Sequence, residues 1–348
     1  MSAKRSTISN VRFAVDRGIR SAGGERLAIP LTPNQTVQTF LHHVDMAAPL
    51  FVLVLVGYLL MRGFGWPRAM SEQLSRFVFS VALPAMLFRL MSDLSRLPPV
   101  DVRLLAAFFG GCLIVFVIGR LLAWRLFALD GVSQSVFALG GVFSNNVLLG
   151  LPLAKVALGD AAVPSVALVL VFNALILWTL VTISVEWARH GSFSLRGFGK
   201  TARGVLTNPI VAGILSGSLF GLTRWPLPAL IDQPLTMLGQ AAAPLALIAL
   251  GMGLAEYGVF DGWRISMAIT TMKLGVQPLI VWLLARAIGL PTMETRVVVL
   301  LASLAVGVNV YLMSRQFNAL EGPVASSLVL STALAALTTP LVLTLLAL

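Results

Sequence analysis

A chain of 348 residues that is 57% hydrophobic and 11% charged, with a mean hydropathy of +0.91, carries more apolar surface than one soluble core can hide. The net charge of +11 does not indicate nucleic acid, because the lysines and arginines are scattered through short connections, with no dense basic stripe carrying aromatics. A single cysteine, Cys112, excludes an internal disulfide and a cysteine metal cluster, and within an apolar helix it reads as packing.

In chain order, residues 1–45 come first as a polar extension read as disordered, carrying Lys4, Arg5, Arg12, Arg17, Arg20 and Arg26 and no apolar run of signal-peptide length. Met46-Ala47-Ala48-Pro49, followed at once by an apolar helix, reads either as the natural start or as the end of a flexible tail. Ten apolar runs of about 20 residues follow, the length that crosses about 30 Å of hydrocarbon. The spans are 47–64, 71–91, 102–124, 132–157, 162–187, 205–222, 235–256, 264–288, 294–316 and 323–347, here called spans 1 to 10. Trp66, Trp124, Trp187, Trp225 and Trp263 fall near their ends, as interfacial aromatics do.

Two of these spans are interrupted. Ser144-Asn145-Asn146 leads into Gly150-Leu151-Pro152 in span 4, and Gly307-Val308-Asn309-Val310-Tyr311 interrupts span 9. Freed backbone groups in hydrocarbon need partners, so such breaks belong where they line a cavity or a ligand. Paired interruptions in two halves point to the midplane site of a secondary transporter.

The sequence also repeats with a period near 160 residues. Gly57-Tyr58-Leu59-Leu60 with Trp66-Pro67 returns as Gly217-Ser218-Leu219-Phe220 with Trp225-Pro226, Leu83-Pro84-Ala85 returns as Ala243-Pro244-Leu245, and Asn146-Val147 returns as Asn309-Val310. Five spans per copy is odd, so the second copy enters from the opposite side. The expected fold is an all-α membrane protein of ten transmembrane helices in two inverted five-helix repeats, residues 46–190 and 205–348, joined by a basic loop at 191–204. The side of the 5–6 connection holds more Arg and Lys, among them Arg189, Arg196, Lys200 and Arg203, so it is assigned to the cytoplasm and both termini to the outside.

These motifs resemble the auxin efflux carrier family, whose bacterial branch includes carriers of malonate and other small organic acids. Leu83-Pro84-Ala85-Met86-Leu87-Phe88, Asn146 through Leu153, Asn208-Pro209, Pro244 through Leu247 with Gly251, and Gly307 through Tyr311 carry the resemblance, which runs from about Met46 to the C-terminus. It implies a scaffold of helices 1, 2, 6 and 7 around a transport domain in which broken helices 4 and 9 cross, a homodimer, and the inner membrane of a bacterium. One departure stands: many relatives place a proline shortly before the ninth-helix glycine, where this chain reads Leu304-Ala305-Val306-Gly307. The break in span 9 then rests on Gly307.

All 14 carboxylates lie in the extension, in connections or in terminal turns, and Lys273 is the ionisable group at mid-depth. A deep cation needs a partner or a cavity. Its companions in sequence are Asn145, Asn146, Asn173, Gln277 and Asn309. The expected substrate is a small organic anion, its carboxylate bonded by Asn146 and Asn309 and its charge balanced by Lys273, with Asn145, Asn173 and Gln277 as further candidates. The structural alternatives are a lysine paired with a carbonyl, amides that cap helix breaks, and Asn173 as interhelical glue. Gly150, Pro152, Gly307, Pro84 and Pro244 are read as break or hinge positions. No cofactor or metal site is expected. A coupling proton, or the membrane potential alone, could drive transport. The histidines, His42, His43 and His190, and the absence of HExxH or GxSxG motifs speak against an enzyme, and a channel or membrane receptor is the alternative.

Overall fold

A computed structural model describes residues 33–93, 100–190, 207, 209–256 and 262–347. Residues 1–32 of the extension and the basic loop at 191–204 lie outside the described residues. The helices, in chain order, are α1 (Pro33–Arg62), α2 (Arg68–Ser92), α3 (Arg103–Phe127), α4 (Gly131–Val142), α5 (Asn146–Leu158), α6 (Val163–His190), α7 (Pro209–Leu222), α8 (Ala229–Leu254), α9 (Trp263–Ala287), α10 (Thr292–Ala302), α11 (Val308–Phe317) and α12 (Glu321–Ala347). Seven of them, α1, α2, α3, α6, α8, α9 and α12, are long and apolar enough to cross a membrane, and α4, α5 and α7 are shorter apolar helices. The described residues contain no strand beyond one isolated antiparallel bridge, between Ser144 and Val306.

The long helices present apolar residues outward at helical spacing: Leu113, Val117 and Leu121 on α3, and Leu337, Leu341 and Leu345 on α12, are all exposed. A stripe of that kind is what a helix turns towards lipid. The interior is the reverse. Every residue from 135 to 146 and from 297 to 307 is buried, so the two interrupted spans occupy the centre of the molecule.

The start of the chain differs from the sequence reading. Residues 33–45, assigned to a structureless extension, form the first turns of α1, a 30-residue helix that passes through Pro49 without stopping. Polarity is a poor guide there, because a helix can leave the apolar layer and continue in water. His43 Nδ1 lies 2.9 Å from Thr344 Oγ1 and Ala47 is buried, which ties this segment to the end of α12.

Three helices widen into a π turn, and the same residue type explains each. In α2 the turn covers Val78–Ala82, in α5 Asn146–Gly150 and in α9 Met272–Val276. Each is followed, at the second position of the next α segment, by a proline: Pro84, Pro152 and Pro278. Proline has no N–H, and its ring collides with the carbonyl one turn earlier. The wider turn relieves the collision, with Leu83 N–H reaching Val78 O, Leu151 N–H reaching Asn146 O and Gln277 N–H reaching Met272 O. Pro244, by contrast, lies inside the continuous helix α8.

Glycine sets how closely the outer helices approach. A Cβ on Gly57 would stand 2.1 Å from Ile248 O, and one on Gly251 would stand 1.8 Å from Val54 O, so α1 and α8 touch backbone to backbone. On the other pair, α7 and α2, a Cβ on Gly217 would meet Phe88 O at 2.4 Å and one on Gly213 would meet Pro84 O at 2.7 Å. The contacts Gly57 with Ile248 and Gly217 with Phe88 map onto each other by a shift of 160 residues in both partners.

Candidate functional site

The site is built from the two interruptions. α4 ends at Val142, the chain runs through Phe143–Asn145, and α5 begins at Asn146; α10 ends at Ala302, the chain runs through Ser303–Gly307, and α11 begins at Val308. The extended stretches pair: Asn145 N–H donates to Ala305 O at 3.0 Å and Gly307 N–H donates to Phe143 O at 2.8 Å. Val306 N–H is taken up by Ser331 Oγ of α12 at 3.0 Å. Each break thus gives backbone groups freed by its loss of helix to the other break, which a lipid-surrounded core requires.

Gly307 has φ −78° and ψ 143°, a conformation open to any residue, so backbone freedom is not the reason for glycine. Space is. A Cβ would stand 3.0 Å from both Phe143 Cδ1 and Ser144 O. The break that sequence assigned to Gly307 alone is held instead by the paired stretch Phe143–Asn145, by Ser331, and by Ser303, whose hydroxyl turns back to Leu300 O at 2.8 Å.

Antiparallel pairing brings the start of each second half-helix beside the end of the other's first. The starts, α5 and α11, offer N–H groups that have no carbonyl one turn earlier, and the ends, α4 and α10, offer carbonyls in the same condition. The carbonyl ends are satisfied from α9. Lys273, fully buried, donates from Nζ to Ala302 O at 2.6 Å, and Gln277, fully buried and one turn on, donates from Nε2 to Val142 O at 2.8 Å. Cys112 of α3 adds to the second cap, with Sγ 3.9 Å from Val142 O and 3.4 Å from Gln277 Nε2. Val142 and Ala302 are again related by a shift of 160 residues.

The sequence-derived candidates divide accordingly. Asn145, Asn146 and Gln277 gather at the first break, where Asn146 Nδ2 is 3.4 Å from Asn173 Oδ1 of α6. Lys273 serves the second break by a carbonyl contact. Asn309 is the second residue of α11, partly exposed, two positions beyond Gly307. Among the described residues, four buried polar atoms here have no hydrogen-bond partner: Ser144 Oγ, Asn145 Nδ2, Asn146 Oδ1 and Gln277 Oε1. Gly150 packs tightly, since a Cβ there would stand 2.7 Å from Leu304 Cδ1, and Pro152 follows the π turn of α5.

Sequence reasoning missed several participants. Ser303 and Ser331 look like ordinary small residues, Ser144 is marked only as part of the break, and no sequence signal marks the carbonyls of Val142 and Ala302 as the partners of Gln277 and Lys273. Arg120, near the C-terminal end of span 3, looks in sequence like one more charge at a helix end. It reaches inward instead, with Ser135 Oγ at 3.2 Å, Gln134 Oε1 at 3.3 Å and the Ser184 hydroxyl as acceptors. The repeat of polar residues facing it, Gln134, Ser135 and Ser184, was the available signal. Among the described residues no group of three or more His, Cys, Asp and Glu side chains converges to hold a metal ion.

Residues 42–343 match the family model described as membrane transport protein. A Rhizobium meliloti (strain 1021) protein named "Putative malonate transporter" is 26% identical over 300 residues, covering 84% of this chain and 92% of its own. Auxin efflux carrier component 8 of Arabidopsis thaliana is 23% identical over 329 residues, covering 80% of this chain and 90% of its own. With a match across most of its length and apolar helices of membrane-spanning size, this chain belongs to the auxin efflux carrier family of membrane transport proteins, and is an integral membrane transporter and not an enzyme.

Proposed function

We propose that the protein is a secondary carrier of a small organic anion, malonate or a related carboxylate, and that the anion is bound where the two breaks pair. The observation that carries this reading is the cluster of buried polar atoms beside that pairing with no partner among the described residues, in which Ser144 Oγ and Asn145 Nδ2 can donate to a carboxylate and the oxygens of Asn146 and Gln277 can accept from water bound with it. An unsatisfied buried group costs about 1–3 kcal/mol, and such a cluster is kept where a ligand or water meets it.

Charge favours an anion. Two helix starts bring about +0.5 elementary charge each and two helix ends about −0.5 each, which cancel. Lys273 sits on one of the ends, and no carboxylate among the described residues accompanies it there. The balance is therefore positive when Lys273 is protonated, and it favours a carboxylate over a cation. In this reading Asn309 and Asn145 Nδ2 donate to the carboxylate, Asn146 joins them when its Nδ2 turns from Asn173 Oδ1 to the ligand, and Lys273 supplies its charge through the end of α10.

The architecture proposed is two inverted five-helix repeats, 46–190 and 205–348, with α4–α5 and α10–α11 crossing as the broken helices. The equivalent glycine contacts of Gly57 and Gly217, and the equivalent caps on Val142 and Ala302, support it. Pro84, beside the π turn of α2, and Pro244, inside α8, are the proposed hinge positions of the scaffold. The termini are placed outside the inner membrane of a bacterium, the unit is a homodimer, and either a proton or the potential, worth about 2.3 kcal/mol per charge per 100 mV, drives the anion. The malonate suggestion rests on the Rhizobium relative.

The test is uptake of radiolabelled malonate and a panel of mono- and dicarboxylates into liposomes holding the purified protein, with potential and pH gradient set separately. Saturable flux that Asn146→Ala and Asn309→Ala each reduce at least about tenfold is expected, the effect of removing a hydrogen bond to a charged group. Flux of no organic anion under any gradient would sink the proposal.

A further inference from the structure

Lys273 and Gln277 stand one turn apart on α9, yet their contacts go to two different helices that are far apart in sequence. Lys273 Nζ holds Ala302 O, the last carbonyl of α10, and Gln277 Nε2 holds Val142 O, the last carbonyl of α4. Those two carbonyls immediately precede the extended stretches whose pairing forms the site. Lys273 lies within the π turn Met272–Val276 in the middle of α9, and Gln277 follows that turn directly, with Pro278 behind it. Tight packing surrounds the same stretch: a Cβ on Gly119 of α3 or on Gly141 of α4 would stand 2.7 Å from Met272 Cε. Both polar side chains are fully buried, so neither can be exchanged for water without moving a helix.

We infer that Lys273 and Gln277 are positioning residues for transport, a two-pronged clamp by which α9 fixes the ends of α4 and α10 and so keeps the paired breaks in register. The inference rests on the carrier reading above for its transport consequences, and on the hydrogen bonds alone for its structural ones. It reassigns both residues from contact with the substrate to control of the groups that make contact. A neutral side chain, Gln277, and a cation, Lys273, then do one job. Their loss should have the same consequence for the pairing of the breaks in spite of their different charge, whereas direct contact with the substrate carboxylate is open to Lys273 alone.

The clamp is tested in the full-length protein with Lys273→Met, Lys273→Arg, Gln277→Leu and the milder Gln277→Asn. Hydrogen–deuterium exchange in detergent reads the amides of Asn145 and Gly307, which are bonded to Ala305 O and Phe143 O. Lys273→Met and Gln277→Leu should each speed exchange of both segments about tenfold or more, since a buried carbonyl loses its donor and the local opening that governs exchange becomes easier. The contact of α1 with α8 should exchange as in the unmodified protein. Where Gln277→Leu fails to fold, Gln277→Asn, one methylene too short to reach Val142 O, takes its place.

In liposomes, both substitutions should lower the maximal uptake rate about tenfold with the half-saturating concentration within about twofold, and Lys273→Arg should restore more than half the rate. Unchanged exchange at Asn145 and Gly307 in folded variants overturns the clamp. So does a raised half-saturating concentration in Lys273→Met together with normal uptake in Gln277→Leu, which would make direct contact with the substrate, and not the hold on Ala302 O, the role of Lys273. If the unmodified protein moves no organic anion, the carrier proposal fails while the exchange measurement still decides the clamp.

Discussion

Replacing Gly251 by Ala tests the claim that α1 and α8 are held at backbone contact. The added Cβ would stand 1.8 Å from Val54 O, 2.8 Å from Val54 C and 2.9 Å from the backbone nitrogen of Tyr58, all main-chain atoms that no rotamer change can move aside. A carbon and an oxygen settle at roughly 3.3 Å, a little inside the carbon–carbon optimum, so the helices must part by about 1.5 Å. Contacts along the whole shared face are lost with that shift, because a gap of 0.5–1 Å already forfeits roughly a quarter to a half of each well. Overpacking of this kind costs about 1–3 kcal/mol, and the upper half of that range applies because the blocking atoms are backbone. Gly253, two residues on in the same helix, has nothing within 4 Å of its would-be Cβ and serves as the control. Ala at Gly253 should be neutral or mildly stabilising, by up to about 1 kcal/mol, from helix propensity. Thermal unfolding of the purified protein in detergent should place Gly251→Ala about 5 °C or more below Gly253→Ala. Equal midpoints would refute the backbone contact and with it the close pairing of α1 and α8.

Two further perturbations probe the site and its support. Gly307→Ala should fold with a small loss of stability, since its backbone is extended and the contacts at 3.0 Å, to Phe143 Cδ1 and to Ser144 O, need give only a few tenths of an ångström, whereas Gly307→Val should force the paired breaks apart and abolish uptake in liposomes; normal flux in the valine variant would show that the breaks need not touch. Asp130 caps the start of α4, accepting from Val132 N–H at 3.1 Å, and hydrogen bonding from Ser133, first from its side chain and then from its backbone, together with the Val132 N–H, holds its carboxyl below the usual carboxylate range. A depressed value means that the cap contributes stability above the ordinary carboxylate range and loses it as pH falls through the lower folded value. Asp130→Ala should therefore cost at most about 1 kcal/mol at neutral pH, the group being exposed and screened, and its thermal deficit against the unmodified protein should shrink on acidification. A deficit that grows at low pH would contradict the sign.

The interruptions were legible because asparagine, glycine and proline are rare inside apolar runs of that length, and lipid gives them no neutral role. Lys273 was legible for the same reason. The partner of Lys273 was not. A carbonyl oxygen belongs to every residue alike, so nothing in the side-chain order marks Ala302 as the acceptor for Lys273 or Val142 as the acceptor for Gln277. The glycines show a similar division. Gly57 and Gly217 were visible as a repeated position, while the reason for glycine there, a facing carbonyl at 2.1 Å or 2.4 Å, exists only once α8 and α2 are in place.

Apolar run length, the position of the breaks and the shift of 160 residues were thus determined by the sequence, because each depends on local chemistry along one chain. Which break meets which, through the bonds of Asn145 with Ala305 and of Gly307 with Phe143, was decided by the tertiary structure. So was the use of α9 to cap both α4 and α10. The physical reason is that a main-chain group freed by a broken helix can be satisfied by any donor or acceptor brought within reach, and packing alone selects which one arrives.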